Sequence, residues 1–228
     1  MKATFTMQGS WIEIFFLAML AGFIGLRLYH VLGRRTGHEN PVGERIRAPL
    51  ADAARPSERS QPDPEPLAPL EIPADVAAEV RPGLEAIHRQ DHGFSPESFL
   101  TGARAAYQTV LESFWDGDER TLRNLVSDEM LQSFRAAIQA REHAGERLEN
   151  RLVYVDRAQI IGASIAGLMA EITVRFQAEI LSVTRDAEGR IIAGDAEHSV
   201  EARDLWTFSR HVASEDPAWL LIATDEEG

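Results

Sequence analysis

Histidine is the residue type in this sequence with the widest chemical use, and two of its seven copies share a helical spacing. His88 and His92 lie four residues apart, which would place both imidazoles on one face of a helix, as in some zinc sites. Pro82 and Gly93 bracket the stretch, and no third ligand follows at a matching spacing. Because a zinc site needs at least three protein ligands, we expect no metal here. The absence of cysteine excludes thiolate sites, thiol nucleophiles and disulfides.

The common signatures of nucleotide binding and nucleophilic catalysis are missing from the sequence. There is no phosphate-binding loop, no G-x-G-x-x-G dinucleotide fingerprint and no G-x-S-x-G nucleophile elbow. The formal net charge of -13 argues against a nucleic-acid-binding protein, which needs a basic surface to neutralise phosphates. We therefore expect no cofactor and no nucleic-acid partner.

One stretch, from Trp11 to Leu32, is long and apolar enough to cross a bilayer. At about 1.5 Å per residue it would span roughly 30 Å, the thickness of a hydrocarbon core. No charge falls between Ile14 and Leu26, so the polar face of a soluble helix is missing. We predict a tail at residues 1–10 and a transmembrane anchor at residues 11–33. The anchor positions are Trp11, Ile14, Phe15, Phe16, Leu17, Leu20, Phe23, Ile24 and Leu26.

The charges around this stretch predict its orientation. Arg34 and Arg35 follow it directly, whereas Lys2 is the only cationic side chain before it. Since cytoplasmic flanks are enriched in arginine and lysine, we expect the N-terminus outside and the C-terminal bulk in the cytoplasm. A buried core helix and a cleaved signal peptide are the alternatives. Small residues four apart, such as Ala18 and Gly22, would let two anchors approach and form a homo-oligomer.

Proline marks residues 34–93 as a charged linker. Ten of the eleven prolines fall between Pro41 and Pro96. Proline fixes φ and removes a backbone donor, so we expect an extended, semi-rigid spacer. Asp75 to Gln90 has some helical character, interrupted at Pro82 and Gly83. A short helix there would dock on the following domain or on a partner.

The folded domain is predicted over residues 94–228, and it starts with helices. Ser95 before Pro96 is a helix N-cap with proline at the first helical position. Apolar residues then recur at helical spacing until Gly117, which can adopt a left-handed cap. A short helix over 119–126 and a longer one over 128–147 follow.

The apolar period changes to two after Asn150, which predicts strands. The clearest alternation runs from Leu168 to Thr184, with Ile172, Val174 and Phe176 on one face. Further strands are predicted at 152–161, 190–193, 197–210 and 219–223. Helices followed by strands, without alternation of the two, predict an α+β fold with an antiparallel sheet. We expect the first helix to cover its apolar face.

Two tryptophan motifs resemble a known family. They are the strand motif Trp206-x-Phe208-x-Arg210 and the closing motif Asp216-Pro217-x-Trp219. Together with Gly102-Ala103 in the first helix, they resemble the Tim44-like domain of the mitochondrial inner-membrane import-motor scaffold and its bacterial relatives, the TimA adaptor proteins. The bacterial members also share a single membrane helix that runs into a Leu-Gly-Arg-Arg-Thr-Gly sequence, here residues 32–37.

The resemblance implies a nuclear-transport-factor-two-like cone, in which helices pack on a curved antiparallel sheet around a hydrophobic pocket. It also implies a non-enzymatic tether at the inner membrane of a bacterial cell, with phospholipid contact and chaperone or translocase components as partners. Position 218 is alanine where many relatives carry asparagine. No chaperone-binding motif of the mitochondrial scaffold is recognisable in this chain.

Two other functions stay open, and both would use the pocket. Folds of this type host isomerases and dehydratases, for which the inward candidates are Tyr154, Asp156, Asp204 and His211. A position on the polar face of alternating strands is the alternative for each of the four. The pocket could instead bind a lipid or another apolar ligand. Trp206, Phe208 and Trp219 are expected in the core.

Overall fold

A computed structural model describes residues 70–227, which form helices followed by antiparallel strands. This order confirms the α+β class. The helices are α1 (Arg81–Gln90), α2 (Pro96–Asp116), α3 (Glu119–Leu122) and α4 (Asp128–His143). The strands are β1 (Arg147–Leu148), β2 (Arg151–Ala166), β3 (Met169–Leu181), β4 (Val183–Arg185), β5 (Ile191–Gly194), β6 (Val200–His211) and β7 (Leu220–Glu226). The predicted anchor lies outside the described residues. Within them, no helix combines the length and the apolar character that crossing a bilayer requires.

The folded unit begins upstream of residue 94, because α1 packs on β2. Leu84 and Ile87 have no exposed surface, and Val76 and Val80 in the preceding turns are also buried. The linker assigned to residues 34–93 therefore overlaps the domain. Four buried apolar residues would offset much of the conformational entropy lost when this segment is ordered.

Pro82 and Gly83, which by composition indicate an interruption, lie at the start of α1. Pro82 occupies the first turn, where its missing N–H leaves no hydrogen bond unmade. Gly83 makes a close approach to β2, since a Cβ at this position would lie 2.0 Å from the carbonyl oxygen of Ala163. Only glycine allows the helix to lie this close to the strand.

The caps predicted for α2 are confirmed. The Ser95 hydroxyl accepts a hydrogen bond from the backbone N–H of Ser98, and Pro96 is in the first turn. Gly117 ends the helix with φ of 74°, in the left-handed region that favours glycine.

The next two helices are shorter than the sequence indicates. Helix α3 stops at Leu122 because the chain becomes extended by Val126, which bridges to Leu221 of β7. Helix α4 ends at His143, two residues before Gly145, whose φ of 70° turns the chain.

The strands form two sheets rather than one. The larger sheet has the order β2-β3-β6-β7, and the smaller has the order β1-β4-β5. Asn150 separates β1 from β2, and its Oδ1 accepts hydrogen bonds from Val183 N–H and the Ser182 hydroxyl. These contacts hold the chain where β3 gives way to β4.

The apolar face of β3 forms the floor of the core. Ile172, Val174, Phe176 and Ala178 are almost completely buried, as the alternation predicted. Helix α2 covers them, as expected, with its own buried residues; Tyr107 stacks on Phe176 with ring centroids 4.3 Å apart. On the neighbouring strand β6, Trp206 and Phe208 face the same core.

Candidate functional site: an aromatic cavity beside a buried acid

Two aromatic clusters lie along the contact between α2 and β6. The interior cluster consists of Tyr107, Phe176 and Trp206, with Tyr107 and Trp206 ring centroids 4.6 Å apart. Tyr107 has no exposed surface and Trp206 is 3% exposed. This cluster is part of the core, in agreement with the expectation for Trp206.

The cavity cluster consists of Phe94, Phe99, Phe208 and Trp219. Phe99 is at its centre, with ring centroids 4.9 Å from Trp219 and 5.8 Å from Phe208. Phe94 lies 6.1 Å from Trp219. The first three rings are buried, whereas Trp219 is half-buried, so one edge of the cluster faces open space.

These rings line an open cavity of about 520 Å³. Helix α2 contributes Gly102, where no atom lies within 4 Å of a built Cβ, and Ala103. Strand β6 contributes Phe208 and Arg210, and the turn before β7 contributes Pro217 and Trp219. The volume is in the range of small-molecule and side-chain binding sites, roughly 300–1,000 Å³.

Arg210 ties this cavity to α1. Its Nη1 donates to Oδ2 of Asp91 at 2.8 Å, and the two side chains are only 14% and 16% exposed. Asp91 caps the C-terminus of α1, and its other carboxylate oxygen accepts from the backbone N–H of Gly93. The ion pair therefore joins strand β6 to the C-terminal end of helix α1.

Asp216 shapes the turn that presents Trp219. Its carboxylate accepts from the backbone N–H of Ala218 at 2.9 Å, and its own N–H donates to the Ser214 hydroxyl at 3.2 Å. Such local hydrogen bonds fix a turn before a strand. The closing motif thus positions a ring at the cavity instead of supplying a reactive group.

A partly buried acid, Asp204, lies beside the interior cluster. The Tyr107 hydroxyl donates to Oδ2 of Asp204 at 2.5 Å. Burial raises the pKa of Asp204 above its ordinary value, although the hydrogen bond from Tyr107 acts in the opposite direction. Burial and the nearby Asp204 charge together raise the pKa of Tyr107. Glu226, opposite Asp204 across β6 and β7, also has a raised pKa because of burial and then the Asp204 charge.

Of the four residues considered for catalysis, only Asp204 faces inward, and it does not line the cavity. Tyr154 is 53% exposed, and Asp156 and His211 are also exposed. Tyr154, Asp156 and His211 therefore take the alternative position, on an exposed strand face. Strand β2 also has three register shifts, which interrupt its two-residue alternation. Tyr154 lies instead at a shallow groove of about 320 Å³ between α2 and β2.

The histidine pair is close in space but forms no metal site. The rings of His88 and His92 lie 6.2 Å apart at their centroids, with His92 beyond the end of α1. The His88 Nδ1 lies 3.2 Å from the carbonyl oxygen of Phe94. Over residues 70–227 no cluster of three or more histidine or carboxylate side chains is arranged to hold a metal ion.

Sequence reasoning missed Tyr107 and Asp91, and only the first had a visible signal. Tyr107 lies on the apolar stripe of α2, where a buried hydroxyl needs a hydrogen-bond partner. Asp204 lies two residues before Trp206 on the same strand, so its side chain faces the same side as Trp206 and Phe208 and can accept that hydrogen bond. Asp91 is 119 residues from Arg210 and no local pattern connects them.

Three known proteins show what this chain is similar to. A Caenorhabditis elegans protein described as a probable mitochondrial import inner membrane translocase subunit is 20% identical over 63% of this chain and 35% of its own length. An uncharacterised protein of Rickettsia prowazekii is 22% identical over 61% of this chain and 56% of its own length. The intermembrane-space region of the chloroplast protein ARC6 aligns with 56% of this chain and 95% of that region, at 14% identity and a TM-score of 0.40.

The chain spans less than two thirds of the length of either of these curated relatives. The family model, in contrast, extends over nearly the whole folded unit. Residues 80–226 match the Tim44-like domain, from the first turn of α1 to the last residue of β7. The match includes α1, the interior cluster and every residue of the cavity named above. The chain belongs to the Tim44-like domain family.

Proposed function

We propose that this chain is a non-enzymatic adaptor anchored in the inner membrane of a bacterial cell. Its nuclear-transport-factor-two-like domain would hold protein partners at the cytoplasmic face. Membership of the Tim44-like family and the translocase description of the worm relative support this function. Because of this family membership, chaperone or translocase components are the partners to test first. The anchor would also allow self-association.

One observation carries the proposal. Six of the motif residues line an open cavity whose side chains are mainly apolar, while the partly buried acid Asp204 lies outside its lining; the six are Gly102, Ala103, Phe208, Arg210, Pro217 and Trp219. An isomerase or dehydratase of this fold would need a titratable group beside the bound substrate. The arrangement supports binding over catalysis.

Deletion of the domain tests the adaptor function. A proximity-labelling enzyme fused to the C-terminus of the full chain should label a defined set of proteins in native membranes. The same fusion lacking residues 70–228 should lose that set. Identical labelling by the two fusions would contradict the proposal.

The proposed topology has residues 11–33 in the bilayer and Arg34 and Arg35 on the cytoplasmic side. Since the chain has no cysteine, single cysteines can report on each side without background. In spheroplasts, a membrane-impermeant maleimide should label Met7→Cys and leave Ala213→Cys unlabelled until the membrane is opened. The reverse pattern would place the domain outside.

The cavity favours a second candidate function, the binding of a lipid or another apolar ligand. Its rings could surround an acyl chain, and Gly102→Leu should fill the space where no atom now lies. Native mass spectrometry of the full chain released from nanodiscs should then show a bound lipid that the variant loses. Equal lipid retention by the two proteins would contradict this candidate.

A further inference from the structure

The cavity differs from the rest of the chain in its charge. The chain as a whole has a net charge of -13. Within residues 70–227, however, the lining of the cavity includes no carboxylate side chain, and its one charged residue is Arg210. A cation in a partly desolvated apolar cleft attracts anions more strongly than one in water. Because Arg210 is already paired with Asp91, the cavity suits an apolar ligand whose negative group shares the guanidinium with that carboxylate.

The Arg210 guanidinium has donors left for such a group. Asp91 occupies Nη1, and Nη2 has no hydrogen-bond partner among the described residues, whereas Nε is buried and inaccessible to a ligand. The N-terminus of α2, a helix of 21 residues capped by Ser95, lies at the same rim. Its partial positive charge adds to that of Arg210.

The polar side chains of the cavity favour a peptide over an acyl chain. Ser98, Thr109 and Asn124 line it together with the aromatic rings. Thr109 and Asn124 donate to backbone carbonyls of Ala105 and Arg120, which leaves their oxygens as acceptors and the Ser98 hydroxyl for a ligand. These groups fit the backbone of a bound peptide, whereas an acyl chain uses none of them. Phe99, Phe208 and Trp219 would contact one large side chain.

We propose that the cavity receives a short segment of a partner protein in which an aromatic or aliphatic side chain lies beside a carboxylate. The apolar side chain packs in the cavity against the partly exposed ring of Trp219 and the edge of Phe99. The carboxylate, from an acidic residue or a C-terminus, accepts from Arg210 near the start of α2. This inference rests on the adaptor function proposed above and names the chemistry of its partner.

Synthetic peptides test the two parts of this chemistry. The probes are N-acetyl-Gly-Phe-Leu with a free carboxylate, the same peptide as its amide, and N-acetyl-Gly-Glu-Phe-Gly-amide. The readout is the fluorine signal of Trp219 in the full chain, labelled with 5-fluorotryptophan, held in nanodiscs and assigned through Trp219→Phe. We expect the free carboxylate to bind about 10- to 100-fold more tightly than the amide. The glutamate peptide shows whether a side-chain carboxylate substitutes for a C-terminal one.

Gly102→Leu blocks the cavity without removing a contact. Gly102 is exposed and inside a helix, so the change also improves helix propensity and should not unfold the domain. We expect peptide affinity to fall by at least about tenfold, the loss typical of an excluded anchor side chain. Thr101→Leu, on the adjacent exposed position outside the lining, is the matched control and should bind normally.

A charge pair at Ala218 tests the role of Arg210 while leaving the Asp91 ion pair in place. Ala218 is exposed and lines the cavity. Ala218→Glu should make the rim of the cavity net negative and weaken the carboxylate peptide by about tenfold, whereas Ala218→Lys should bind it at least as well as the unchanged chain.

The results separate this inference from the adaptor function. Equal binding of acid and amide, or a Trp219 signal that moves with oleate and with no peptide, would overturn the inference in favour of a neutral or lipid ligand. If Gly102→Leu leaves proximity labelling intact while the domain deletion abolishes it, the adaptor function stands and the cavity is not the docking site. If the deletion itself changes nothing, the adaptor function fails.

Discussion

The interior cluster and the cavity cluster share helix α2 and strand β6, yet the first is closed and the second is open. In the interior cluster, Tyr107 donates a hydrogen bond to Asp204, an acid whose pKa is raised by burial. Further along β6, Phe208 and Arg210 form part of an open cleft with a cation. The difference shows that one strand motif can contribute to two environments. Trp206 packs in the core, whereas Phe208 and Arg210 line the cavity.

The largest expected effect compares two tryptophans. Trp206→Ala should lower the free energy of unfolding by about 3–5 kcal/mol, the typical loss for a buried large aromatic residue. Trp219→Ala should cost clearly less, because that ring is half-buried beside open space. Urea unfolding of the two variants measures both values, and equal losses would remove the distinction between the clusters.

The next effect concerns the ion pair behind the cavity. Asp91→Asn or Arg210→Gln should each cost about 3 kcal/mol, since each leaves one largely buried charge without its partner. The double variant should cost less than the sum of the single changes. Additive losses in this cycle would show that the pair does not couple α1 to β6.

The interior acid predicts a dependence on pH of definite sign. Because burial raises the folded-state pKa of Asp204, its contribution to stability is full below its unfolded pKa, about 4, and is lost as the pH rises through the folded-state value. Asp204→Asn should therefore stabilise the domain at neutral pH, and the gain should shrink on acidification. A gain that does not change with pH would mean that Asp204 does not titrate in this range.

The smallest effect belongs to the cavity wall. Gly102→Ala should stabilise the domain by about 0.5–1 kcal/mol, because alanine is the better helix residue and its Cβ meets open space. Gly83→Ala is the contrast, since the added Cβ would collide with the carbonyl oxygen of Ala163. Thermal unfolding of both variants should give shifts of opposite sign.

Local patterns were sufficient for much of the fold. Ser95, Pro96 and Gly117 set the ends of α2 through capping chemistry that is visible in the sequence. The two-residue period of β3 identified its buried face, and this strand pairs with β6 without a register shift. Strand β2 has three such shifts, so its buried and exposed positions do not follow a simple alternation.

The parts that could not be predicted depend on contacts distant in sequence. Pro82 and Gly83 have the composition of a helix breaker, and only the approach of β2 shows why the glycine is needed. The family motif located Arg210 but gave no indication of Asp91, which lies in the segment assigned to the linker. The cavity therefore could be expected from resemblance, while its charge and its connection to α1 could not.

The attachment of α1 by its buried apolar residues, a close glycine contact and one ion pair has a mechanical consequence. Helix α1 is the first regular element after the proline-rich stretch, so tension applied from the N-terminal side of the chain would load α1 before any strand. We expect α1 to detach from β2 before any hydrogen bond between strands breaks. In an optical trap, the first extension should then correspond to the residues from 70 to about 95, and Arg210→Gln should lower the force at which it occurs. A single rupture of the whole domain would show instead that α1 resists as much force as the sheet does.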